Sequence, residues 1–174
     1  YITPYLKKEI KERSLTQPLT YGRIYKIVPE NSRLKAVQFP EDKVKLVKLL
    51  AHENGWVRSM AQQLLVDSRD LKVAAQLRRL SKNARNPLAV SHALWTMEGL
   101  GILTKDDIWP LLLSKEWPLR MQALSMSRSL ISKENYKEFL QLFDTMIAAK
   151  DALSAPYIAF LAPVFKPFDE PAQM

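Results

Sequence analysis

The sequence predicts an all-α protein built from pairs of short helices. Three observations carry this prediction: apolar residues recur at helical spacing from residue 41 onward, helix-starting signals separate the apolar stretches, and a small residue returns at a nearly constant interval. The chain has 174 residues, of which 47% are hydrophobic, so one domain with a sizeable core is expected. No apolar run approaches the ~20 residues of a membrane-spanning helix.

Local signals divide the chain from residue 41 into four predicted helix pairs. Asn86 provides a capping side chain, and Pro87 has no backbone N–H, which the first position of a helix does not need. Pro118 opens another helix in the same way, Ser132 is predicted to cap the next, and the last is expected to end near Pro163. The predicted pairs span residues 41–66, 70–100, 104–131 and 133–163.

The second helix of each pair carries an alanine at a corresponding position. These alanines are Ala61, Ala93, Ala123 and Ala155, at intervals of 32, 30 and 32 residues. A period of this length built from two helices is typical of α-solenoids, in which each pair buries its apolar stripe against its neighbours. The sequence therefore predicts a right-handed α-α superhelix of about four pairs, a HEAT or armadillo-like solenoid.

The first forty residues have a different pattern. Thr3–Arg13 is predicted to form a charged helix, and residues 21–28 alternate large apolar with polar residues, which is typical of a strand. A single strand needs a partner edge, and no later segment resembles one. We therefore predict an N-terminal region over residues 1–37 with a short extended segment, helical repeats over 38–165 and a tail over 166–174.

Composition and charge limit the classes of function. The chain has no cysteine, which removes thiolate metal sites, cysteine nucleophiles and covalent c-type haem from this stretch. With 4 glycines, it lacks the spacing of a phosphate-binding loop, so we predict no cofactor. Residues 1–90 hold 18 Lys and Arg against 8 Asp and Glu, whereas residues 91–174 hold 8 against 10. A basic half is typical of proteins that meet nucleic acid or an acidic protein surface.

Several stretches between residues 5 and 131 resemble one known family. They are Tyr5–Ile10, Pro18–Leu19, Gly22–Ile27, Leu46–Trp56, Arg58, Ala61–Leu65 and His92–Leu100. Together they resemble the end of the β-propeller and the following HEAT-like repeats in large bacterial dehydrogenases, predicted to be membrane-bound and related to glucose/sorbosone dehydrogenases.

The resemblance implies an architectural role. In that family the propeller, which is expected to hold the cofactor, is followed by helical repeats and often by a c-type cytochrome module. It implies that residues 21–28 are the last propeller strand, that the upstream propeller of the same polypeptide is the main partner, and that the protein is bacterial and periplasmic or membrane-associated. No catalytic, cofactor-binding or metal-binding residue carries over. We therefore predict a non-catalytic scaffold or interaction domain.

A set of basic and aromatic side chains is the candidate interaction surface. Helical spacing places Lys72 beside Arg79, with neighbouring cations on an adjoining face. The full set is Arg58, Arg69, Lys72, Arg78, Arg79, Lys82, Arg85, Trp109 and Trp117. Two alternatives remain open: a free-standing HEAT-like adaptor that binds protein, and a DNA-binding or DNA glycosylase solenoid. For the second, with nucleic acid as partner, Asp106 or Asp107 is the nearest counterpart of a catalytic Asp.

The other chemistry-bearing residues are predicted to be structural. His52 and His92 are expected to hydrogen-bond helix ends or turns, as buried polar groups generally do. Trp56 and Trp95 are expected to pack in the core, with Trp109 and Trp117 more exposed. The adjacent carboxylates are expected to cap helix starts, where the helix dipole favours them. These carboxylates are Glu41–Asp42 and Asp106–Asp107.

Overall fold

A computed structural model gives the fold of the chain. It describes residues 2–15, 27–28, 30, 37–82 and 85–169. These residues hold helices and no strand, so the all-α prediction is confirmed for them. Of the predicted strand, residues 21–26 lie outside the described residues, while Ile27 and Val28 belong to no helix or strand. None of the described helices is both long and apolar enough to cross a lipid bilayer.

The chain divides into two compact units, Tyr1–Ala36 and Val37–Met174. The first unit contains helix α1 (Pro4–Glu12). The Oγ1 atom of Thr3 caps this helix by accepting a backbone N–H one turn later at 3.3 Å. Helix α1 buries no residue, in agreement with the charged helix predicted there.

The second unit consists of four helix pairs, each with a first helix, a turn and a second helix. The first pair is α2 (Lys43–Val47), which a 3-10 turn (Lys48–Ala51) extends, and α3 (Gly55–Ser68). The second pair is α4 (Ala74–Ser81), which follows a 3-10 turn (Leu71–Val73), and α5 (Pro87–Gly99). The third pair is α6 (Lys105–Leu112) and α7 (Trp117–Leu130), and the fourth is α8 (Tyr136–Ala148) and α9 (Ala155–Asp169). Helices therefore occupy all four of the predicted pairs.

The second helices form one continuous layer. Helix α3 contacts α5, α5 contacts α7 and α7 contacts α9, and each also packs on the first helix of its own pair. Helices α3 and α5 run in the same direction, because Gln62 meets His92 near their middles and Val66 meets Gly99 toward their C-terminal ends. One apolar cluster extends through all four pairs.

The recurrent alanines mark the buried face of this second layer. Ala61, Ala93 and Ala123 have no exposed surface, and each is the seventh residue of its helix. The prediction for Ala155 is wrong, since it is exposed at the first position of α9, and Leu161 is the buried seventh residue there. The interval from Ala123 to Leu161 is longer than the earlier intervals because α8 has 13 residues whereas α6 has 8.

Two helix boundaries also differ from the sequence prediction. Helix α8 begins at Tyr136 because Asn135, and not Ser132, is its N-cap. Helix α9 continues through Pro163 to Asp169, within the predicted tail. A proline inside a helix frees the carbonyl four residues earlier. In α9 the prolines and the residues that carry the freed carbonyls are on the exposed side, where water can satisfy them.

The approach of α5 to α3 at Gly99 gives a first testable prediction. A Cβ atom on Gly99 would lie 2.8 Å from Cγ2 of Val66, and a β-branched side chain has little freedom to move away. We expect Gly99→Ala to lower the free energy of unfolding by about 1–3 kcal/mol. This overpacking cost exceeds the gain of up to about 1 kcal/mol from the better helix propensity of alanine.

Urea unfolding of Gly99→Ala, Val66→Ala and the double variant measures this effect. The double variant should lose less stability than the sum of the two single variants, because removing the valine methyl groups makes room for the new one. Strict additivity would contradict the contact.

The buried position of Ala93 gives a second prediction. Ala93→Leu should overpack the second layer and lower the free energy of unfolding by roughly 1–3 kcal/mol. Ala75 is exposed on α4, so Ala75→Leu serves as the matched control and should change stability by no more than about 0.5 kcal/mol. Equal melting temperatures for the two variants would show that Ala93 is not a close-packed position.

Candidate functional site

Two arginines of the second layer connect their helices to the preceding turns. Nη1 of Arg58 donates to the carbonyl oxygens of His52 and Glu53 at 2.7 and 2.8 Å. Nη1 of Arg120 donates to the carbonyl oxygen of Ser114 at 2.7 Å. Each arginine is the fourth residue of its helix and reaches the carbonyl six residues earlier. Arg58, predicted as part of an interaction surface, thus closes the turn of its own pair.

Arg120 also joins the third helix pair to the fourth. Its Nη2 atom lies 3.2 Å from Oδ2 of Asp151, and its Nε atom donates to Oγ of Ser154 at 3.2 Å. The guanidinium carbon lies 5.2 Å from the ring centroid of Trp117, within the range of a cation–π contact. Asp151 accepts the Ser154 hydroxyl at 2.6 Å, and this hydrogen bond is the main cause that lowers the pKa of Asp151 below its ordinary 3.8.

The sequence analysis did not single out Arg120, although the sequence carries a signal for it. The segments Arg58–Ala61 and Arg120–Ala123 both read Arg-x-x-Ala and begin 62 residues apart. If the repeat pattern had included the residue three positions before each alanine, it would have shown that Arg58 and Arg120 occupy corresponding positions.

Arg78 is a second predicted surface residue with a structural contact. Its Nη2 atom donates to the carbonyl oxygen of Ile102 at 2.8 Å, and its Nε atom lies 3.4 Å from Oδ1 of Asp107. Asp107 also accepts the backbone N–H of Thr104 at 3.0 Å, which is the capping role predicted for it. The carboxylate therefore both caps α6 and holds the side chain of Arg78.

The other five cations of the predicted surface are exposed, and they are distributed along α4. Arg69 and Lys72 precede this helix, Arg79 is in its last turn, and Lys82 and Arg85 follow it. Lys72 and Lys82 are ten residues apart in the chain, which corresponds to roughly 15 Å along a helix. The five cations therefore extend along α4 and the segments before and after it.

Trp56 was predicted to pack in the core, and this prediction is wrong. Its side chain is 60% exposed, and within the described part of its unit its aromatic neighbour is Phe39, at 5.8 Å between ring centroids. Trp56 lies in the first turn of α3, in the first helix pair. Trp95, by contrast, is in the interior of α5 with helices on both sides, and its Nε1 atom donates to Oε1 of Gln122 at 2.6 Å.

Trp109 and Trp117, predicted to be the more exposed tryptophans, are half-buried. Each makes an edge-to-face contact with a ring of the fourth pair: Trp109 with Phe139 at 5.3 Å and Trp117 with Tyr157 at 5.6 Å. Such pairs add to the free energy of apolar burial. Both tryptophans therefore have packing partners between the third and fourth pairs.

His52 makes the turn hydrogen bond predicted for it, whereas the prediction for His92 is wrong, because His92 bonds a side chain on the neighbouring helix. Nδ1 of His52 accepts the N–H of Asn54 at 3.0 Å in the turn before α3. Nδ1 of His92 lies 2.7 Å from Oε1 of Gln62 and links α5 to α3. Burial, and secondarily the charge of Arg58, lowers the pKa of His92 below 6.5. Within the described ranges, no three His, Cys, Asp or Glu side chains are grouped so that they could hold a metal ion.

A groove of about 540 Å³ opens between α2 with its 3-10 turn and α4. We call it the α2–α4 groove. Its apolar lining includes Val44, Val47 and Leu80, and its polar side chains are Lys48, Gln76 and Arg79. The sequence analysis named Arg79 but not its companion Lys48. Lys48 follows Val44 by four residues, so helical spacing alone places both on one face.

The lowered pKa of Asp151 predicts a dependence of stability on pH. A carboxyl whose pKa is lower in the folded than in the unfolded chain stabilises the fold above its ordinary value of 3.8, and this contribution is lost as the pH falls through the folded pKa. Asp151→Asn should therefore be less stable than the parent at about pH 7, with a difference that shrinks below about pH 4.

Chemical unfolding across this pH range measures the difference. Asp144 is exposed on α8, so Asp144→Asn is the control and should follow the parent at every pH. A gap between Asp151→Asn and the parent that stays constant down to about pH 2 would contradict the role of the carboxylate.

Comparison of the chain with known protein families, with curated proteins and with solved structures found no match. The resemblance of the blocks between residues 5 and 131 to the dehydrogenase family therefore rests on those residues alone.

Proposed function

We propose that this chain is a non-catalytic helical-repeat scaffold of the HEAT or armadillo-like kind that binds protein. One observation carries the proposal: two arginines of the second layer, Arg58 and Arg120, bind the backbone of the turns that connect the helices of this unit. Arg58 closes one turn, and Arg120 closes another and holds the turn before α9 in the fourth pair through Asp151. Such polar contacts position helices, which is the task of a repeat scaffold.

The proposed partner is an upstream propeller of the same polypeptide, in a bacterial dehydrogenase-like protein that is periplasmic or membrane-associated. The resemblance of Tyr5–Ile10 and Gly22–Ile27 to the end of a propeller supports this assignment. The α2–α4 groove is formed by the first and second helix pairs, the pairs nearest in sequence to that region. In this role the repeats would support the dehydrogenase domain and fix its position relative to an electron acceptor.

Hydrogen exchange tests the partner. We expect a polypeptide extended upstream through the propeller to exchange the amides of α2, α3 and α4 more slowly than the 174-residue chain does, because a docked domain suppresses local opening. The amides of α8, in the last pair, are the internal control and should be unchanged. Equal exchange throughout would remove the upstream domain as partner.

A dye-linked dehydrogenase assay with glucose and sorbosone tests the absence of catalysis. The 174-residue chain should reduce the dye no faster than buffer, and the extended polypeptide should reduce it. Turnover by the shorter chain would contradict a non-catalytic role.

A further inference from the structure

We propose that the α2–α4 groove binds an acidic, amphipathic segment of a partner protein. This inference rests on the proposed scaffold function and adds the chemistry of the bound segment. Two features of the groove carry it: an apolar lining, and two cations that have no carboxylate partner among the described residues.

The apolar lining indicates that the bound segment has apolar side chains. Val44 is 37% exposed although it is a large hydrophobic residue, and Leu80 faces the same groove from α4. Val47, beneath them, is almost fully buried. Covering exposed apolar surface is favourable in proportion to the area removed from water, so apolar side chains of a partner would bind here.

The charge of the groove indicates that the segment is acidic. Lys48 and Arg79 are both exposed, and no ion pair among the described residues includes either of them. Among the residues that the structure describes, no carboxylate lines the groove. Two cations beside an apolar surface favour a partner with carboxylates next to its apolar side chains, because complementary charges speed encounter and set specificity.

The two features together favour a peptide over nucleic acid. A nucleic-acid backbone matches the two cations, but it offers little apolar surface for Val44 and Leu80. The exposed cations Arg69 and Lys82 lie outside the groove lining, so they do not extend it into a longer basic track.

Selection from a phage-displayed library of random peptides tests the proposal on the intact 174-residue chain. We expect the enriched peptides to combine Asp or Glu with Leu, Ile or Phe. The charge-reversing variant Lys48→Glu/Arg79→Glu should weaken their binding by about tenfold or more in fluorescence anisotropy, and added salt should weaken binding to the parent. Circular dichroism and the melting temperature confirm that each variant is folded.

The variant Arg69→Glu/Lys82→Glu is the matched control. It makes the same change in net charge at two exposed positions outside the groove lining, and it should change peptide affinity by less than about threefold.

The outcomes separate the two proposals. Peptides that are not acidic, or that bind the groove variant as tightly as the parent, would overturn the groove assignment and leave the scaffold function standing. A library that yields no binding peptide at all would count against both. Nanomolar binding of duplex DNA that is lost in the groove variant would assign the groove to nucleic acid and overturn the peptide proposal.

Discussion

The close approach of neighbouring second-layer helices is the constraint on which the other features of the second unit depend. Alanine at the seventh position of α3, α5 and α7 lets these helices pack side by side, and Gly99 allows a further contact at the end of α5. This spacing brings the two residues of the His92–Gln62 hydrogen bond within reach of each other. Helices α2 and α4 are held mainly by their own partners, and a groove remains between them.

The polar side chains of the second unit follow from this packing. A helix held at a fixed distance from its neighbour can place an arginine against backbone carbonyls that would otherwise lack a donor. Arg58, Arg78 and Arg120 each satisfy such a carbonyl. Other cations of the first two pairs remain exposed, Lys48 and Arg79 among them, and they give these pairs a basic surface.

Structural features that depend on interactions within a few residues of the chain could be predicted from the sequence. Features that depend on contacts between residues far apart in the chain could not. Asn86–Pro87 starts α5 as predicted because a cap acts on its own turn. The predicted position of Ala155 within its helix is wrong because that position depends on the length of the whole preceding helix. The predicted burial of Trp56 is wrong because the exposure of a side chain depends on which helices lie beside it. The groove was missed because its two walls lie about thirty residues apart in the chain, and helical spacing describes one wall at a time.

The fourth position of the second helices alternates in character from pair to pair. Arg58 and Arg120 occupy it in the first and third pairs, whereas Val90 and Ile158 occupy it in the second and fourth, where both are buried. The two arginines also differ, since Arg58 donates to the turn of its own pair whereas Arg120 also reaches Asp151 and Ser154 in the pair that follows. A gene that gained or lost a single internal pair would therefore bring together two second helices with the same kind of residue at this position, whereas a change of two pairs would keep the alternation.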